Sequence, residues 1–74
     1  MGLADGAELL GLSPRETEVA KARLRGETVE GAAYILSVSA NTVRTYIKRI
    51  YRKLGVDSVV GLAAAAQRAS EERR

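Results

Sequence analysis

The chain contains no cysteine and no histidine, and its single proline is Pro14. Without cysteine there is no disulfide framework and no thiolate metal site. Without histidine the commonest general base and the commonest zinc ligand are both missing. No glycine-rich phosphate loop is present, nor any pair of carboxylates in an apolar setting, so the parts of a catalytic centre are absent and no enzymatic activity is expected. No apolar run is long enough to span a bilayer. The N-terminus lacks the basic start and apolar stretch of a secretory signal. These absences lead us to expect a cytoplasmic protein with no cofactor, no metal and no membrane partner.

What is present fits in one small domain. A chain of 74 residues has room for a single core, and cores of this size are worth roughly 3–5 kcal/mol. The net charge of +3 is modest, but it is unevenly spread. Residues 1–38 set four cations against six acids, and residues 57–74 hold three of each. Residues 39–56 carry Arg44, Lys48, Arg49, Arg52 and Lys53 with no acid at all. Positive charge gathered in one segment is the footprint of a surface that meets phosphates.

Capping chemistry divides the chain into helices. Residues 1–11 are rich in glycine and alanine and read as an N-terminal arm or the remnant of a linker, with a helical turn near 7–10. Ser13-Pro14-Arg15-Glu16 places a hydroxyl at the N-cap, proline at the first helical position and glutamate at N3, a full capping box. The helix it opens should run to about Arg25 and stop at Gly26. Thr28 caps a second helix from Val29 to Leu36, with Glu30 near the positive end of its dipole. After the short connection Ser37-Val38, Ser39 caps a third helix that runs to Leu54 and ends at Gly55. Ser58 caps a fourth, to about Ala69, and residues 71–74 form a charged tail. No segment alternates with a period of two, so the expected fold is all-α: a small four-helix domain over residues 12–70.

The third helix is the most informative. Val43, Ile47, Ile50 and Leu54 recur at helical spacing and form a narrow apolar stripe. With successive residues about 100° apart, Asn41, Arg44, Thr45, Lys48, Arg49 and Arg52 fall on the other side. A short helix, a tight turn and a long helix with one dry and one basic face make a helix-turn-helix. The major groove admits such a helix, and its base edges differ for each base pair. Arg44 and Lys48, one turn apart near the helix start, suit the groove floor, and the Thr45 methyl suits a thymine methyl. Ser39, Asn41 and Thr42 lie where free N–H groups and the helix dipole favour phosphate. Arg49, Arg52 and Lys53 are placed for the DNA backbone. Neutralising ~5 phosphates would make log affinity fall against log salt with a slope of about −4 to −5.

The stretch Leu12-Ser13-Pro14-Arg15-Glu16-Thr17-Glu18-Val19 resembles the opening of the LuxR-type (GerE/NarL-like) DNA-binding domain. The run from Val38 to Val56, with Thr42-Val43-Arg44 followed by Tyr51-Arg52-Lys53-Leu54-Gly55-Val56, resembles that family's recognition helix and the turn after it. The likeness covers residues 12–69. It implies a four-helix domain whose second and third helices form the helix-turn-helix, with positions 44, 45 and 48 facing bases and positions 42, 49 and 53 facing the backbone. It also implies sequence-specific binding of double-stranded DNA as a transcriptional regulator, and a homodimer paired through the fourth helix, with Leu62, Ala63 and Ala66 as the face. Many such domains are outputs of larger proteins, so a stand-alone regulator and an excised domain both remain open.

Some positions depart from the family pattern. Ala20, Ala22 and Arg23 stand where large aliphatics are usual. Gly31 and Ala32 replace a Glu-Ile pair, Tyr34 and Ile35 replace polar residues, Ser37 replaces a glycine, and Tyr46 replaces a histidine. These changes suggest a repacked core and a partner resting on Tyr34 or Ile35. Two other readings keep the fold: a helical interaction module contacting RNA polymerase or a sigma factor, and a phage-type architectural DNA-binding protein.

Overall fold

Each helix start is set by a hydroxyl that satisfies a free backbone N–H, as the sequence pattern predicts. The computed structural model describes residues 10–72. Its four helices are α1 (Pro14–Leu24), α2 (Val29–Leu36), α3 (Ala40–Leu54) and α4 (Val59–Glu72), and the described residues contain no strand. Ser13 Oγ accepts from the Glu16 N–H at 3.2 Å, and the Ser13 N–H donates back to Glu16 Oε1 at 2.9 Å. Thr28 Oγ1 accepts from Gly31 at 2.9 Å, Ser39 Oγ from Thr42 at 3.0 Å and Ser58 Oγ from Gly61 at 3.2 Å.

The ends of the first three helices share one closure, in which the backbone turns left-handed and the next N–H reaches back five residues. Glu27 N–H bonds the Ala22 carbonyl at 3.1 Å, Val38 that of Ala33 at 3.0 Å, and Val56 that of Tyr51 at 3.0 Å. Gly26 and Gly55 supply the left-handed residue in α1 and α3. In α2 it is Ser37, at φ 60° and ψ 44°. Among the described residues Ser37 is the one non-glycine with positive φ.

Three boundaries differ from the sequence reading. Helix α1 ends at Leu24, with Arg25 as its cap, since the closure on Gly26 consumes that residue. Helix α4 runs on through Ala69 to Glu72, so Glu71 and Glu72 are helical rather than tail. Leu10 packs on the core beside Leu12, which begins the packed unit at residue 10 instead of 12. Apart from Leu10, the turn expected at 7–10 lies outside the described residues, as do residues 73–74.

The core is made of small groups. Its buried apolar residues are Val19, Ala20 and Ala22 of α1, Ala32 and Ala33 of α2, Val43 and Ile50 of α3, and Leu62, Ala65 and Ala66 of α4. Ala20 and Ala22, where the family pattern has larger side chains, are fully buried and fill the core with small side chains. Helices α1 and α3 each pack on the other three, and only α2 and α4 are not neighbours. A Cβ at Gly61 would lie 2.9 Å from Val56 Cβ, so α4 sits directly on the α3–α4 turn. Arg23 Nη1 donates to the Glu27 carbonyl and ties down the α1–α2 connection, giving that departure a role in the turn.

Candidate nucleic-acid interface

Packing decides which face of α3 meets solvent. Val43 and Ile50 are fully buried, and Ile47 and Leu54 are partly buried against the core. The apolar stripe thus anchors the helix inward along its length. Asn41, Arg44, Thr45, Lys48, Arg49, Arg52 and Lys53 are all exposed, while Thr42 is half-buried. The turn from α2 carries α3 across the surface with this ridge outermost.

The side chains are not equally available. Lys48, Thr45 and Arg52 make no side-chain hydrogen bond or ion pair among the described residues. The Arg49 guanidinium lies over the Tyr46 ring, 5.4 Å from its centroid, a cation–π contact that restrains an exposed side chain. Half-buried Tyr46 is thereby a support for Arg49. At the helix start, Ser39 Oγ and Thr42 Oγ1 share a hydrogen bond at 2.9 Å. Both hydroxyls belong first to the cap.

Two of the five cations are met by acids from other helices. Arg44 Nη1 donates to Asn41 Oδ1 at 3.1 Å, and its Nη2 lies 3.6 Å from Glu30 Oε2 on α2. Lys53 Nζ donates to Glu16 Oε1 at 2.8 Å. The Glu16 residue is 1% exposed, and the Lys53 side chain is about half exposed. That carboxylate is held below its ordinary pKa, first by the Lys53 hydrogen bond and then by the Ser13 backbone N–H, against the opposing effect of burial. Lys53, expected to face the DNA backbone, thus has its ammonium paired to Glu16 of α1 while its side chain stays about half exposed. Neither acid is detectable from the charge of residues 39–56, because Glu16 and Glu30 arrive through folding.

The expected dimer face also changes. Leu62 and Ala66 are each 1% exposed and belong to the core, because α4 turns them onto the other helices. Ala63 is exposed, as are Val60, Ala64 and Gln67. Elsewhere Tyr34 is 86% exposed and Ile35 48%. The described residues hold no cluster of metal-ligating side chains, and no helix among them is long and apolar enough to cross a membrane.

A short helix, a three-residue turn and a basic, outward-facing second helix on a compact helical support define a helix-turn-helix DNA-binding domain of transcription regulators. Residues 10–66 match the family described as bacterial regulatory proteins, luxR family. The chain belongs to the LuxR family of bacterial regulatory proteins. It is 39% identical over 57 residues to the probable transcriptional regulatory protein NarL of Mycobacterium tuberculosis, in strains CDC 1551 / Oshkosh and ATCC 25618 / H37Rv. The aligned stretch is 77% of this chain and 26% of that protein, so the chain spans about a quarter of the length of these curated relatives. No solved structure gives a significant match.

Proposed function

We propose that α3 enters the major groove of double-stranded DNA and reads an operator as the specificity element of a cytoplasmic transcription regulator. Arg44, Thr45 and Lys48 face base edges in this reading. Ser39, Asn41, Thr42, Arg49 and Arg52 face the backbone, and Lys53 adds to the positive potential while bound to Glu16. The carrying observation is the ridge of Lys48, Arg49 and Arg52, exposed and free of acidic partners among the described residues, on a helix whose opposite face is anchored in the core. Selection of bound sites from random duplexes, with binding measured at two salt concentrations, tests it. A defined site whose affinity falls with salt supports the reading. Binding indifferent to salt, or unchanged by Arg44→Ala with Lys48→Ala, overturns it, and strong bending of any bound sequence favours an architectural protein.

Pairing of two copies through α4 is part of the proposal, with Val60, Ala63, Ala64 and Gln67 as its surface. Two selected half-sites in inverted repeat would support the pair. A second reading, a contact with RNA polymerase or another protein, is favoured by the exposure of Tyr34 and Ile35 on α2. Loss of transcriptional output with Tyr34→Ala, at unchanged DNA affinity, would separate it from DNA reading.

A further inference from the structure

The Arg44 guanidinium is held from two directions. Asn41, one turn back on the same helix, accepts from Nη1 at 3.1 Å. Glu30, from the first helix of the helix-turn-helix, lies 3.6 Å from Nη2. Only the Asn41 contact uses an N–H of the guanidinium; the Glu30 carboxylate restrains Nη2 by charge, so donors on both terminal nitrogens stay available. An untethered arginine swings among phosphates and several base edges. One restrained at both terminal nitrogens keeps the plane of its guanidinium in a narrower range of orientations, which favours a bidentate partner such as the guanine edge. An acid beside a basic ridge also works against general affinity for phosphate, which marks it as a device for discrimination.

We propose that Glu30 is a specificity-determining residue: it positions Arg44 for one base and opposes the looser phosphate-bound states of the same side chain. This rests on the docking of α3 described above. In water an ion pair this exposed is weak, since Glu30 is 73% and Arg44 52% exposed in their side chains. Entry into the groove strips that water away and strengthens the tether where it matters. Glu30 lies on the rim of the fold, so its replacement leaves the core untouched.

Site selection from random duplexes with the wild-type chain, Arg44→Ala and Glu30→Gln tests the assignment. Arg44→Ala identifies the base pair that Arg44 reads. Glu30→Gln is expected to reduce discrimination at that same pair by about five- to tenfold, within what a bidentate arginine supplies, with only the small drop in thermal midpoint that losing one charge from the first turn of α2 brings. If preference at that pair is intact in Glu30→Gln, the inference fails, even where affinity for all sequences rises, because the acid is then only a repulsive surface charge. If the wild-type chain selects no site, or Arg44→Ala alters no position, the docking of α3 itself fails and this inference falls with it.

Discussion

Lys53, in the last turn of α3, donates to the buried carboxylate of Glu16, in the first turn of α1 and 37 residues away, at 2.8 Å. The same oxygen accepts the Ser13 N–H, so a single acid caps α1 and pins the C-terminal end of the reading helix. The sequence offers two separate roles, a capping box and a phosphate contact. The fold merges them. The ion pair thus adds to the apolar stripe in holding the far end of α3 against α1.

Lys53→Ala should destabilise the domain by about 1–3 kcal/mol, because it leaves a buried carboxylate short of a charged partner, whereas Arg52→Ala should leave the thermal midpoint unchanged. The pH dependence follows from the depressed Glu16 pKa. The stability it confers is present above the ordinary value of 4.5 and is lost as pH falls through the lower, folded-state value. Glu16→Gln should therefore be less stable than wild type at neutral pH, with the gap closing in acid. Thermal melts of both proteins across the acid range check this, and a gap that persists at the lowest pH contradicts it.

Ser37 occupies a left-handed conformation that costs a side-chain-bearing residue roughly 1–2 kcal/mol, offset in part by the greater unfolded-state freedom of glycine. Ser37→Gly should stabilise the protein by about 0.5–1 kcal/mol without altering DNA binding. Denaturant unfolding of the two proteins measures the difference.

Leu62→Ala should cost roughly 2–5 kcal/mol, enough to unfold much of the population of a domain with so small a core. Ala63→Glu should leave folding intact and weaken only self-association, which sedimentation and half-site cooperativity report. If Leu62→Ala melts like wild type while losing a dimer, the placement of α4 is wrong.

With Lys53 bound to Glu16, fewer cations are free for phosphate than the local charge suggests. Counting three to four phosphates, log affinity should fall against log salt with a slope of about −3 rather than −4 to −5. Arg52→Ala should reduce that slope by about one and weaken all sequences alike, whereas Arg44→Ala should cost about 1–3 kcal/mol at one base position. Titrations at several salt concentrations give both numbers.

The helices, their caps and the two-faced character of α3 are written locally in the chain, because capping boxes and helical periodicity act within a few residues. Ser13, Thr28, Ser39 and Ser58 all cap as their spacing requires, and Val43 and Ile50 point inward as their repeat demands. That Leu62 and Ala66 are core, that Lys53 turns to Glu16, and that Arg44 meets Glu30 emerges only when the helices pack together. Those outcomes depend on how helices distant in the chain are rotated against each other, and a periodic pattern on one helix carries no information about that angle.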